Sequence, residues 1–180
     1  MRDLTGSREP PLIAAGPCVQ TLPPAARFVL RGGADVREAA ARALAVPFSA
    51  IACRAASAGD RATLWLGPDE WLIVGPVTGP GLDALLAPAL AALPHSLVEV
   101  SHRQVALAVR GAQAAKLIAS GCPLDLDVQA FPVGMCTRTV LGKCEVVLWR
   151  TQAQEFRLEV WRSFAAYVAA FLAEAARGMN

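Results

Sequence analysis

The spacing of hydrophobic and polar positions changes along the chain and predicts both strands and helices. The densest apolar stretch, residues 62–75, consists of two short β-rich runs on either side of Pro68-Asp69, a dipeptide that favours a tight turn. This pattern predicts a β-hairpin with strands at 62–67 and 70–75. Both strands are apolar at consecutive positions, so both faces of the hairpin need a cover. Helices of this chain can cover one face, and a second sheet or another polypeptide must cover the other.

The segments around the hairpin complete a first α+β half, residues 27–95, in the order β-α-β-β-α. A strand is predicted at 27–32, and a helix follows with Asp35 as its N-cap, ending at Leu44. Leucines at helical spacing predict a second helix over 82–93. The five elements form a unit that buries one face of a sheet under two helices.

The second half, residues 96–180, repeats this order with insertions. Glu155 to Val160 alternate charged and apolar residues, a pattern typical of a strand with one face in water. Ser163 is the predicted N-cap of a last helix that ends near Arg177. The remaining predicted elements are a connecting strand at 96–101, a strand at 104–110, a helix at 112–120 and strands at 136–141 and 144–150.

The two halves are related by an internal duplication. Arg31-Gly32 recurs as Arg110-Gly111, 79 residues later, and residues 69–74 correspond to 155–160 at an offset of 86. Residues 1–26 contain five prolines and show no helical or strand periodicity, so they are predicted to form an extended N-terminal arm. The middle of the arm, residues 12–15, is apolar and is expected to lie along a surface.

Composition excludes several classes of protein. The chain is 54% hydrophobic with a mean hydropathy of +0.40, yet no stretch reaches the roughly 18 uninterrupted apolar residues of a membrane-spanning helix. The first ten residues lack the apolar core of a signal peptide, so we expect a cytoplasmic protein. A net charge of +2 with dispersed basic residues argues against nucleic-acid binding. The five cysteines form no CxxC pair, which favours reduced thiols over a metal site.

Three short motifs are candidates for chemistry. Gly79-Pro80-Gly81 precedes a predicted helix and could hold an anion, although no supporting residue follows it. Ser101-His102-Arg103 could supply a base, or it could be a polar strand end that contacts a partner. Asp125 and Asp127 could act as an acid–base pair or cation ligands, or could form a solvated loop with an Asx turn.

Tryptophans mark either the core or an interface with another protein. Trp65 and Trp71 flank the hairpin turn, and Trp149 and Trp161 lie in the second half. Aromatic anchors are enriched at protein interfaces, but they also fill cores. The candidate subunit interface consists of Trp65, Asp69, Trp71, His102 and Arg103.

These residues give the chain a resemblance to the gamma subunits of heterotetrameric sarcosine oxidases. The resemblance rests on residues 64–72 with the Gly-Pro-Asp-Glu-Trp hairpin, on 98–103 with Ser-His-Arg, on 121–126 with Phe131-Pro132, and on 162–167. It covers about residues 60 to 175. A wider similarity is to the folate-binding fold of the glycine-cleavage aminomethyltransferase. It implies two ferredoxin-like halves related by a pseudo-twofold duplication, which agrees with the repeat.

The resemblance also implies a function. It implies a non-catalytic structural subunit with no metal or cofactor of its own, whose partners are the alpha, beta and delta subunits. Those partners would carry FAD, FMN, NAD and tetrahydrofolate and demethylate sarcosine to glycine. Aminomethyltransferase-like proteins carry an acidic residue after the second strand of the hairpin, whereas this chain has Leu148-Trp149-Arg150 in that region and no acidic residue. The alternatives are a stand-alone folate-binding aminomethyltransferase-like protein that uses Asp125 or Asp127, and a free-standing binding module.

Overall fold

The computed structural model describes residues 18–179, which contain ten strands in two five-stranded antiparallel sheets and four α-helices. The strands are β1 Val19–Thr21, β2 Ala26–Gly32, β3 Ala55–Ala58, β4 Arg61–Gly67, β5 Glu70–Gly75, β6 His95–Glu99, β7 Gln104–Arg110, β8 Cys136–Leu141, β9 Cys144–Gln152 and β10 Glu155–Trp161. The helices are α1 Ala34–Leu44, α2 Leu82–Leu90, α3 Ala114–Ala119 and α4 Ala165–Arg177, and a 3-10 turn at Arg162–Phe164 precedes α4.

The first sheet has the strand order β3-β4-β5-β2-β6. Helices α1 and α2 pack on one face of it through a cluster that includes Leu30, Leu44, Ile73 and Leu86. The four strands β2, β4, β5 and β6 with these helices form a β-α-β-β-α-β unit, which is the ferredoxin-like order. The predicted hairpin is confirmed, since β4 and β5 pair on either side of Pro68-Asp69.

The second sheet has the order β1-β7-β10-β9-β8 and carries α3 and α4. Comparing the two orders matches β7, β9 and β10 with β2, β4 and β5, so the predicted duplication and the α+β class are confirmed. Strand β1 takes the position that β6 holds in the first sheet. The N-terminal strand therefore completes the second half, and the strand after α2 completes the first.

This exchange corrects the predicted boundaries. Residues 95–99 pair with β2 in the first sheet, so the connecting strand predicted at 96–101 does not begin the second half. Part of the predicted arm is also a strand, because Val19 to Thr21 pair with β7. Residues 1–17 of the arm, including the apolar 12–15, lie outside the described residues.

The two sheets stack face to face around a third apolar cluster, which includes Leu64, Leu72 and Val74 from the hairpin and Cys136 and Val147 from the second sheet. The second face of the hairpin is therefore covered by the chain itself, which was one of the two covers that the sequence left open. Together the helices and sheets make four layers, with an apolar cluster between each pair.

Several predicted element ends need correction. Asp35 lies inside the first turn of α1, and Gly33 is the N-cap residue. Ser163 lies in the 3-10 turn, and Phe164 occupies the N-cap position of α4. Helix α2 ends at Leu90 and α3 covers only Ala114–Ala119, both shorter than predicted. Strand β3, on the edge of the first sheet, had no clear sequence pattern.

The face of β10 that was predicted to be wet is buried around Glu159. Glu159 is 1% exposed because this face of β10 points toward the first sheet. The alternation of charged and apolar residues is real, but Arg157 and Glu159 form ion pairs between the sheets, and only Glu155 pairs nearer the surface, with Arg110 of β7. Within residues 18–179, no helix has the length and apolarity that crossing a membrane requires.

Candidate functional site

A surface patch at one end of the second sheet combines aromatic and basic side chains. Trp161 ends β10, and the guanidinium of Arg103 lies over its ring at 5.3 Å. The backbone N–H of Arg162 donates to the Arg103 carbonyl at 2.7 Å, which fixes the turn beside the ring. Trp161 and Phe164 are each 41% exposed, and His102 is exposed in the same turn. We call His102, Arg103, Trp161 and Phe164 the Trp161 patch.

Ser101, in contrast, has a structural role in the turn. Its Oγ accepts a hydrogen bond from the backbone N–H of Arg27 at 2.9 Å and donates to the Arg27 carbonyl at 3.4 Å. The hydroxyl therefore attaches the turn to the start of β2. Of the two readings of Ser-His-Arg, a polar strand end fits this geometry better than a catalytic set.

The hairpin tip and the Ser-His-Arg turn, which together make up the predicted subunit interface, lie at opposite ends of the first sheet. Ser101 contacts Arg27 at the start of β2, whereas Gly32, at the end of β2, donates to the Asp69 carbonyl at 3.0 Å. Five residue steps along a strand span roughly 17 Å. One compact interface cannot be centred on both.

The two hairpin tryptophans have different environments. Trp71 is 1% exposed, and its Nε1 donates to the Ser49 carbonyl at 2.9 Å. Trp71 therefore does not belong to the predicted interface, because its side chain is part of the core under α1 and α2. Trp65 is half-buried and Asp69 is exposed at the tip. The interface role of Trp65, Asp69, His102 and Arg103 stays a prediction.

Glu70 joins the two sheets beside the hairpin tip. Its carboxylate accepts a hydrogen bond from Arg138 of β8 and lies 2.9 Å from Nη2 of Arg31 on β2. Burial raises the pKa of Glu70, but the hydrogen bond and charge of Arg138, followed by those of Arg31, lower it by more. The net pKa lies below its ordinary value of 4.5.

This lowered pKa predicts an acid-sensitive contribution to stability. A carboxylate with a depressed folded pKa stabilises the protein above its unfolded pKa, and this stability is lost as pH falls through the folded pKa. We expect the free energy of unfolding, measured with urea at a series of pH values below 4.5, to fall more steeply in the wild type than in Glu70→Gln. Equal slopes in the two proteins would contradict the assignment.

A second ionic cluster lies deeper between the sheets. Nε of Arg27 on β2 donates to Glu159 Oε2 at 2.6 Å, and the two side chains are 3% and 0% exposed. Nε of Arg157 donates to the other oxygen, Oε1, at 2.7 Å. This cluster was not predicted, since its only signal in the sequence is the alternation of charged and apolar residues in β10.

The aspartate pair forms turns in a loop. Oδ1 of Asp125 accepts the backbone N–H of Asp127 at 2.9 Å, and Oδ1 of Asp127 accepts that of Gln129 at 2.8 Å. Both aspartates are exposed. These contacts are Asx turns, the second of the readings left open by the sequence. Across residues 18–179, no group of three or more His, Cys, Asp or Glu side chains could hold a metal ion.

An open depression of about 320 Å³ lies beside the β9–β10 turn. Its main polar groups already pair with each other, because Arg110 Nε donates to Glu155 at 2.7 Å and Nη1 donates to Gln20 at 3.0 Å. Burial raises the pKa of Glu155, while hydrogen bonds from Arg110 and Thr151 lower it to below its ordinary value. The depression therefore holds a satisfied ion pair.

Comparison with known proteins assigns the chain to a family. Residues 31–178 match the family described as "Sarcosine oxidase, gamma subunit family". The chain belongs to this family. A gamma-family relative, the sarcosine oxidase subunit gamma of Arthrobacter sp, is 37% identical over 102 residues, which are 57% of this chain and 50% of that protein. The match thus spans half of that relative's length.

Two solved structures contain chains that superpose on this one. A chain of the heterotetrameric sarcosine oxidase from Corynebacterium sp. U-96, in complex with pyrrole 2-carboxylate, superposes with a TM-score of 0.83 at 29% identity, covering 89% of this chain and 83% of that one. The glycine cleavage system aminomethyltransferase T from Bartonella henselae superposes with a TM-score of 0.64 at 14% identity, over 87% of this chain and 45% of that one. The second likeness shows a shared fold.

Proposed function

We propose that this chain is a structural gamma subunit of a heterotetrameric sarcosine-oxidase-like complex and binds alpha, beta and delta subunits. The observation that carries the proposal is its superposition, over 89% of its length, on a chain of a heterotetrameric sarcosine oxidase. In this proposal the complex demethylates sarcosine to glycine and passes the one-carbon unit to tetrahydrofolate. The other subunits perform that reaction, and the chain contributes to assembly.

We further propose that the chain carries no active site or cofactor of its own. The hydroxyl of Ser101 is engaged by the backbone of Arg27, and Asp125 and Asp127 are engaged in Asx turns. In the proposed complex, FAD, FMN, NAD and tetrahydrofolate are held by the partner subunits. A cytoplasmic location is part of the proposal, and the free thiols of all five cysteines support it.

The Trp161 patch is the surface that we propose for contact with another subunit. Aromatic side chains and arginine are the residues most enriched among interface hot spots. The patch offers two aromatic rings, each 41% exposed, and the Arg103 guanidinium already held over one of them. Arg103 therefore loses little freedom when a partner covers the ring, which lowers the entropy cost of binding.

Replacing Trp161 by alanine is expected to weaken assembly. A hot-spot residue contributes about 2 kcal/mol or more, so the variant should bind the flavoprotein subunits about 30-fold more weakly. The measurement is co-expression of the tagged full-length chain with its neighbouring subunits, followed by purification and a titration of the captured flavoprotein. A full-length chain that captures no flavoprotein would defeat the proposed function itself.

Val133→Ala provides the control for this titration. Val133 is 51% exposed. The backbone N–H of the adjacent Gly134 donates to the carbonyl of Arg150, which lies on β9 opposite Phe156, at the end of β10 that is far from Trp161. Val133→Ala should assemble like the wild type. If the two variants bind alike, the Trp161 patch is not the interface. Saturable binding of tetrahydrofolate that Asp125→Ala weakens would instead favour the folate-binding alternative.

A further inference from the structure

Two cysteines from different halves of the chain lie opposite each other where the edges of the sheets meet. Arg54, just before β3, forms an antiparallel bridge with Met135, just before β8. Beside this bridge, the backbone N–H of Cys136 donates to the Cys53 carbonyl at 3.0 Å, and Cys53 itself lies in a turn with a φ of 58°. Two residues joined by a hydrogen bond of this kind between antiparallel segments have Cα atoms about 5.5 Å apart. That separation lies within the range that a disulfide requires.

The two thiols differ in their exposure to solvent. Cys53 is half-buried in the segment between α1 and β3, whereas Cys136 is buried. The pKa of the Cys136 thiol is raised to about 12, mainly by burial; the hydrogen bond to the Trp65 carbonyl and the charge of Arg54 act to lower it, and the negative charge of a Cys53 thiolate acts to raise it. The effect of a Cys53 charge on Cys136 agrees with the short distance between the two residues that the backbone hydrogen bond indicates. A dissolved oxidant would reach Cys53 first.

We propose that Cys53 and Cys136 form an oxidation-sensitive pair that closes into a disulfide joining the two halves when the protein meets a peroxide. The Cys53 thiolate attacks the peroxide, the O–O bond breaks, and Cys53 becomes a sulfenic acid while the departing oxygen takes up a proton from solvent and leaves as water or an alcohol. The Cys136 sulfur then attacks the Cys53 sulfur, the S–O bond breaks, and water leaves with the Cys136 proton. The sulfurs are oxidised and the peroxide is reduced.

The bond would connect distant parts of the chain. It links the segment before β3 in the first sheet to the start of β8 in the second, and it closes a long loop that contains β3, β4, β5, β6 and β7. Constraining so long a loop in the unfolded state stabilises the folded one. The oxidised protein is therefore expected to melt roughly 5 to 15 °C above the reduced protein. This inference does not depend on the proposed function.

Mass spectrometry of the full-length chain tests the pair directly. The chain is treated with hydrogen peroxide, its remaining thiols are blocked, and it is digested without reductant by trypsin and a protease that cleaves before aspartate. Trypsin releases residues 43–54, and cleavage before Asp127 separates Cys136 from Cys122. The expected product is residues 43–54 linked to residues 127–138, lighter by two hydrogens than the separate peptides and absent after treatment with dithiothreitol.

Two variants complete the experiment. Cys53→Ser should abolish both the linked peptide and the rise in melting temperature, whereas Cys122→Ser should leave both unchanged. A link from Cys53 to a cysteine other than Cys136 would overturn the proposal. It would also be overturned if Cys53 reached only sulfinic or sulfonic acid in the wild type while Cys136 stayed a free thiol. The wild-type digest gives this answer even if a variant folds poorly.

Discussion

Replacing Glu159 by alanine is expected to lower the free energy of unfolding by about 3 to 5 kcal/mol, because it leaves the Arg27 guanidinium buried without its carboxylate. The Arg27 side chain is 3% exposed and lies 2.6 Å from Glu159. Its remaining described partner is the Ala25 carbonyl at 2.9 Å, which cannot neutralise the charge. For a chain of this length the melting temperature should fall by roughly 6 to 20 °C. Urea and thermal unfolding of the full-length chain measure the loss.

Two further variants identify the cause. Glu174→Ala removes an exposed partner of Arg177, whose pair is 72% exposed on both sides, and should cost at most about 0.5 kcal/mol. The double variant Arg27→Met with Glu159→Leu removes the fully buried pair and leaves only the partly exposed Arg157 without its carboxylate, so it should regain most of the stability, since apolar replacements of a buried pair are often neutral. If the double variant is as unstable as Glu159→Ala, lost packing rather than an unpaired charge explains the effect.

The parts of the fold that the sequence predicted are those set by local patterns. The hairpin was predicted because Pro68-Asp69 separates two apolar runs that are too short for helices. The duplication was predicted because Arg31-Gly32 and Arg110-Gly111 end equivalent strands, β2 and β7. Both signals depend on neighbouring residues and on one repeat distance, so they needed no knowledge of how the sheets pack.

The parts that were wrong depend on pairing between distant segments. Strand β1 has only three residues and gains its structure from β7, with Val19 opposite Val109. Strand β6 was placed in the wrong half because either sheet could have accepted it at an edge. The charged face of β10 was assigned to water because the partner of Glu159, Arg27, lies 132 residues earlier in the chain. An alternating pattern alone cannot distinguish solvent from a buried partner.

In the candidate interface, too, the local features were predicted and those that depend on distant segments were not. His102 and Arg103 were predicted at a strand end, and their exposure is a local property of the turn. Trp71 was misassigned because a tryptophan beside a hairpin turn suits a core and an interface equally well. What decides between them is whether helices cover that face of the sheet, and α1 and α2 do.

Replacing Trp71 by alanine is therefore expected to destabilise the chain itself, by about 3 to 5 kcal/mol. The ring fills the core beneath α1 and α2 and meets Phe48 edge-on, with ring centres 6.0 Å apart. Its loss opens a cavity and leaves the Ser49 carbonyl without the indole donor, 2.9 Å away. Urea unfolding of the full-length variant is the measurement.

The matched control is Trp161→Ala, the same change at a surface tryptophan. It should alter the free energy of unfolding by no more than about 1 kcal/mol, the value of an exposed cation–π contact such as the one with Arg103. The milder Trp71→Phe keeps most of the buried ring and should bind the proposed partner subunits as well as the wild type binds them. If Trp71→Phe stays folded but loses capture, the hairpin tryptophan contacts the partner after all. If instead Trp71→Phe keeps its capture and a folded Trp161→Ala loses it, Trp71 stabilises this chain and Trp161 contacts the proposed partner subunit.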